Sequence, residues 1–185
     1  MSVGAVVACC ALAAACTQEP AQTSSPSPTP AAATLTESQI ERQMRLDYEA
    51  AERAYRTNIS EQDRLARAGG HEQATAALKA TAEGEYLSSS VASLALIKRK
   101  RWRGIGSTTI LGIGRVGWQE KHVRLVSCED GSHLRLLDNA GKDVTPRGDS
   151  QFVQRLVVVQ RAGRWKVSSF DSTSVKTLEG QPCAA

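Results

Sequence analysis

The apolar residues of this chain change their period once, and that change limits the fold more than any other feature. Ile40, Met44, Tyr48, Ala51, Tyr55 and Ile59 recur at spacings of 4, 4, 3, 4 and 4, which is one apolar stripe along an α-helix. Thr36-Glu37-Ser38-Gln39 ahead of it has the form of a capping box. Gly69-Gly70 ends the helix, either directly after Ala68 or following an earlier break near Asn58. A second helical stretch spans 72–98, with Ala74, Leu78, Ala82, Leu87, Val91 and Leu94 as its inner face. A break is expected there near Ser88-Ser89-Ser90. From Gly104 onward the period falls to two. Residues 107–118, Val123 to Ser127 and Leu134-Leu136 read as strands, and Asp138 to Lys142 as a turn. Phe152 to Gln160 is the strongest strand, and Arg161-Ala162-Gly163-Arg164 turns it into a returning strand, Trp165 to Phe170. No helical pattern between these strands is long enough for parallel crossovers. The expectation is therefore an α+β fold: N-terminal helices packed on one face of a bent, mostly antiparallel sheet of about five strands. Val157→Asp would set a charge against packed apolar surface if that side chain faces the helices.

The domain does not need the whole chain. Residues 1–15 carry no charge and are mostly small and apolar. They are too short for a bilayer span, which needs ~20 residues, but have the length of a secretory signal core. They end in Leu12-Ala13-Ala14-Ala15, directly before Cys16, and here the chain resembles a bacterial lipoprotein signal peptide. It departs from that pattern in having Ala13 three residues before the cysteine and no Lys or Arg near its start. The resemblance implies cleavage before Cys16, lipid on the Cys16 sulfur and a place on the outer face of the cytoplasmic membrane. Residues 16–35 hold four of the six prolines among Ser, Thr and Ala, a tether without core material. The folded domain is expected over 36–185.

With Cys16 acylated, Cys128 and Cys183 are the two cysteines left outside the signal. In an oxidising compartment they are expected to pair. Closing a loop of about 55 residues would stabilise the domain by about 4 kcal/mol in the chain-entropy picture.

The Gly104–Gly106 segment, Val123-Arg-Leu-Val-Ser-Cys128-Glu-Asp130, Asp138-Asn-Ala-Gly141 and Val157-Val-Val-Gln-Arg-Ala-Gly163-Arg-Trp165-Lys-Val167 resemble the nuclear-transport-factor-2-like (cystatin-like) superfamily. They are similar in particular to uncharacterised actinobacterial lipoproteins built on that fold. The resemblance implies a cone-shaped sheet, and in enzymes of this class an Asp or His inside the cone. Asp130, Asp138 and His122 are the sheet-region candidates, although each also suits a turn or a strand end.

Other chemistry is thin. The chain has 23 basic and 19 acidic residues, so no single-sign field covers it and a strongly basic nucleic-acid binder is excluded. Lys98, Arg99, Lys100, Arg101 and Arg103 form one basic run. It suits a helix C-terminus, contact with an anionic surface or, with Trp102, stacking on nucleic acid. Nucleic acid is not expected for an exported protein. Gly112-Ile-Gly114-Arg-Val-Gly117 matches the dinucleotide fingerprint, but a strand pattern follows where that site needs a helix. Bulges in a bent sheet are the expected use of these glycines, and no cofactor is expected. His71, His122 and His133 lack metal-ligand spacing. The function expected is binding or scaffolding at the cell surface, with the membrane, an envelope protein or a small apolar ligand as partner. The alternatives are a dehydratase or isomerase using the cone, or a subunit of an envelope complex.

Overall fold

A computed structural model describes residues 37–174; Thr36 of the expected capping box lies outside them. The described chain runs α1 (Glu37–Arg67), α2 (Ala76–Thr81), α3 (Gly84–Lys100), β1 (Arg103–Ile105), β2 (Thr109–Gln119), β3 (His122–Asp130), β4 (Arg135–Leu137), β5 (Gln151–Arg161) and β6 (Arg164–Ser174). The fold is α+β. β2-β3-β5-β6 make a four-stranded antiparallel sheet, and β1-β4 a separate two-stranded one. That is one strand more than expected, because β1 pairs with β4 rather than leading straight into the main sheet.

The stripe on α1 meets the main sheet. Tyr48, Ala51, Tyr55 and Ile59 are buried with Ala82, Tyr86, Val123, Leu125, Leu156, Val158, Trp165 and Val167. α1 runs unbroken past Asn58, which is buried and gives its amide to the Thr81 hydroxyl at 2.9 Å. Gly69 and Gly70 then leave the helix at φ 88° and 80°, and their N–H groups donate to the carbonyls of Ala66 and Leu65.

The break in the second helical stretch falls at Ala82-Glu83, not at the serines. Ala82 bridges to Val167, and the Glu83 N–H donates to the Val167 carbonyl at 2.9 Å. Gly84 follows at φ 56°, where a Cβ would lie 2.9 Å from the Ser168 carbonyl oxygen. The edge of β6 thus competes for the backbone and wins. Ser88 and Ser90 stay within α3, where their hydroxyls donate to the carbonyls of Gly84 and Tyr86 instead of competing for the backbone elsewhere. The buried face of α3 is Tyr86, Ser90, Leu94 and Ala95, with Leu87 only partly covered.

β2 holds Gly112, Gly114 and Gly117, and its register with β3 shifts between Ile110 and Gly112 and again between Arg115 and Gly117. Gly112 and Gly117 sit at the two shifts, and Gly114 lies in regular register opposite Val126 between them. β2 continues into β3 through Glu120-Lys121, so no helix N-terminus follows them. β5 and β6 form the expected hairpin; Ala162 and Gly163 both have positive φ, as a two-residue turn of the tighter hand requires. Register puts Leu156 and Val158 on the helix side and Val157, opposite Arg124 and Ser169, on the other. The condition attached to Val157→Asp is therefore not met.

Gly106 fastens the small sheet. Its φ is 78°, and a Cβ there would lie 1.8 Å from the His133 carbonyl oxygen. Gly106→Ala is expected to cost roughly 2–5 kcal/mol, from a left-handed backbone worth ~1–2 and forced displacement worth ~1–3. Gly141→Ala, at φ 79° with open space around it, should lose only the first part. Thermal denaturation of the two variants tests this, and equal losses would show that the close approach does not exist.

Candidate functional site

Along the helix side of the sheet the side chains turn from apolar to polar. Val123 and Leu125 on β3 are followed on the same face by Ser127 and Glu129. Glu129 is 1% exposed. The Tyr55 hydroxyl, from α1, donates to its Oε1, and the Gln154 amide, from β5, approaches Oε2 at 3.5 Å. The Ser127 hydroxyl and the Gln154 carbonyl oxygen are buried without a hydrogen-bond partner. Burial pushes the Glu129 carboxyl up to about 8, so it keeps its proton at neutral pH. Nearby, Gln62 donates to Asn58 and to the Tyr86 hydroxyl, and burial pushes that phenol up to about 12. A neutral carboxyl beside a phenol can give and retake a proton, which is the chemistry of general acid–base catalysis.

A second feature lies where α1 and α3 end. A cleft of about 510 Å³ has apolar walls made by Ala66, Ile97, Leu134, Leu136, Pro146 and Phe152. Its far side is the segment after β4, shaped by short-range bonds. The N–H groups of Ala140 and Lys142 donate to one oxygen of Asp138, and the Leu136 N–H donates to the Thr145 hydroxyl at 2.8 Å. Arg135 and Asp143 pair at 2.7 Å at its rim. Bonds from the Thr145 hydroxyl and N–H, then Arg135, hold the Asp143 carboxyl down to about 2.

The basic run lies at this same end. Lys98, Arg99 and Lys100 form the last turn of α3, Arg101 caps it at φ 54°, and Arg103 opens β1; all five are exposed. The packing of Gly69 and Gly70 against Trp102 and Lys98 places them beside the C-terminus of α1.

Asp130, Asp138 and His122 are not inside the fold. Asp130 accepts from the Ser132 N–H at 2.8 Å, which with the Ser132 side chain holds its carboxyl below the usual range. Asp138 organises its turn, and His122 is exposed at the start of β3. The interior carboxyl is Glu129, one residue from Asp130. Continuing the alternation Val123, Leu125, Ser127 by one step would have found it. Cys128 lies on the opposite face of β3, 3% exposed and disulfide-bonded. Its partner lies outside the described residues, as do Cys16 and Cys183. Non-reducing peptide mapping is expected to join Cys128 to Cys183; a Cys128 peptide linked elsewhere would refute that pairing. Among the described residues no group of three His, Cys, Asp or Glu side chains is placed to hold a metal ion.

No protein-family model matches the chain, and no curated protein matches it. Among solved structures it is similar to the intermembrane space region of the chloroplast protein ARC6, at 16% identity and a TM-score of 0.44, over 66% of this chain and 95% of that one. A likeness of that degree carries no further argument.

Proposed function

We propose that the protein is an extracytoplasmic binding domain of the nuclear-transport-factor-2-like class, held at the outer face of the cytoplasmic membrane by lipid on Cys16. In this reading the interior of the cone is filled, and the cleft of Ile97, Leu136 and Phe152 takes a small apolar ligand. The observation that carries it is the cleft itself. Its volume of about 510 Å³ falls within the ~300–1,000 Å³ of small-molecule sites. Its hydrocarbon walls meet solvent, so covering them releases free energy in proportion to the apolar area removed from water.

Neutral 1-aminoanthracene is expected to brighten when added to the full chain. Leu136→Trp, which fills the cleft, should remove most of that signal. A dark wild type, or an equally bright variant, would refute the cleft as a site. Separately, Cys16→Ala should release the protein or leave it unprocessed, since two or more acyl chains are needed for stable anchoring. A wild type with an intact N-terminus and no lipid would refute the anchor.

One observation favours a second reading, a dehydratase or isomerase: the neutral Glu129 carboxyl beside Tyr55. That reading requires a turnover lost in both Glu129→Gln and Tyr55→Phe while the fold is kept.

A further inference from the structure

A second cavity, of about 360 Å³ and separate from the cleft, lies between the C-terminal half of α1 and the loop that joins β1 to β2. Arg56, Ser60, Asp63 and Arg67 line it from α1. Their spacings of 4, 3 and 4 put them on one face of the helix. Ser107 and Thr108 line it from the loop, and Ile59 and Ile110 lie on the side of the core.

The charged groups of this cavity are not matched to one another. Asp63 is buried, and its two oxygens accept from the Thr108 N–H at 2.9 Å and from the Thr108 hydroxyl at 3.2 Å. Its carboxyl is thus turned to the loop and holds it against α1. Arg67 donates from one terminal nitrogen to the Gly106 carbonyl at 2.9 Å. The rest of its guanidinium makes no bond among the described residues, and Arg56 makes none there at all. Neither arginine is in an ion pair with a described carboxylate. The acidic neighbours along the helix are engaged elsewhere: Glu52 by Arg115 at 2.7 Å and Glu61 by Arg64 at 2.6 Å. Two guanidinium groups therefore line one cavity with their charge unpaired, beside a single carboxyl whose oxygens already have donors.

Guanidinium groups suit oxyanions because their forked N–H donors match two oxygens at once. We propose that this cavity binds a small phosphate monoester, with the phosphate held by Arg56 and Arg67 and the body of the ligand facing the hydroxyls of Ser60 and Ser107. A phosphate monoester carries about −1.5 to −2 at neutral pH, which answers two cations where a carboxylate answers one. The volume favours an ester over the free ion. At ~30 Å³ for each water, the cavity has room for roughly twelve, more than one phosphate fills. The hydroxyls of Ser60 and Ser107 make no bond among the described residues, and a hydroxyl both gives and accepts, so they suit a hydroxyl-bearing body better than an apolar one.

The test is calorimetric titration of the full chain with glycerol 3-phosphate, inorganic phosphate, glycerate and glycerol. Glycerol 3-phosphate is expected to bind most tightly, inorganic phosphate and glycerate more weakly, and glycerol not measurably. Raising the salt should weaken the binding. Arg56→Gln and Arg67→Gln should each weaken glycerol 3-phosphate about tenfold or more, as expected for the loss of a hydrogen-bonded charge. Arg56 has no bond to lose within the domain, so its variant keeps the cavity intact even if Arg67→Gln loosens the loop. Arg53→Gln removes the same charge from an exposed position of α1 outside the cavity and should change the affinity less than about twofold. Absence of glycerol 3-phosphate binding would overturn the proposal. Equal losses in all three variants would overturn it too, by assigning the attraction to the general charge of α1. Inorganic phosphate binding as tightly as glycerol 3-phosphate would leave the cavity to the free ion. Capture of vesicles containing phosphatidic acid, without binding of glycerol 3-phosphate, would assign it to a lipid head group; either result overturns the small monoester as ligand.

Discussion

The stability of the domain is expected to fall as pH rises from 5 to 9, and Glu129→Gln to remove most of that fall. In the unfolded chain the carboxyl titrates near 4.5, and in the folded protein burial moves it up to about 8. Between those values the native state holds a proton that the unfolded state has released, so raising the pH favours unfolding. The stabilising protonation is complete below the lower value, is lost across the window and costs nothing further above the upper one. At ~1.36 kcal/mol per pH unit this amounts to roughly 4–5 kcal/mol, a large share of the ~5–15 kcal/mol that holds a domain together. The neighbours do not offset it. Tyr55 from α1 and Gln154 from β5 bond to the carboxyl without supplying positive charge, and Ile110 and Phe152 are its register partners on either side. Asp63, whose carboxyl is also raised by burial, acts in the same direction. The carboxyls held low, Glu61, Asp130 and Asp143, act in the opposite direction, adding stability as the pH rises through the acid range at and below the lower edge of the window. Denaturant midpoints at pH 5, 7 and 9 measure the effect. A flat profile in the wild type would mean that Glu129 is charged or solvated in the native state.

Leu156→Asp is expected to abolish folding, and Val157→Asp to be tolerated. Leu156 is 2% exposed and faces the α1 stripe. Removing a buried leucine costs ~2–5 kcal/mol, and an unpaired buried carboxyl adds several more through desolvation, or through the proton it must take up. The total exceeds what most domains have to lose. Val157 is half-buried on the other face, opposite Arg124 and in a groove that also includes Arg155 and Asp171. An aspartate there has a guanidinium within reach, and the change should stay within about 1 kcal/mol, as for most surface substitutions. Soluble yield and far-ultraviolet circular dichroism separate the two variants. Equal behaviour would contradict the face assignment of β5.

The α1 stripe, its end at Gly69-Gly70 and the β5–β6 hairpin were legible in the sequence because each rests on neighbours. Side chains three or four residues apart share a helix face, and Ala162-Gly163 can adopt the backbone its turn needs whatever surrounds it. The α+β order followed from the change of period. The helix break at Ala82-Glu83 was not legible. It exists because β6, some 85 residues further on, offers the Val167 carbonyl to the Glu83 N–H, and local propensity would have continued the helix. The β1–β4 pair depends in the same way on Gly106 passing the His133 carbonyl. The face of Glu129 could be read from its period, but not its burial. Alternation says which way a side chain points, and only packing says whether water waits there. α1 places Tyr55 over Glu129 and so excludes the water that would otherwise solvate the charge. The cleft is a tertiary product too, since Ala66, Ile97, Leu136 and Phe152 come from four elements that share no local pattern. Sequence alone thus determined the elements whose free energy is local. The tertiary structure decided the break, the buried carboxyl and the cleft, because desolvation and backbone pairing depend on what the rest of the chain brings within reach.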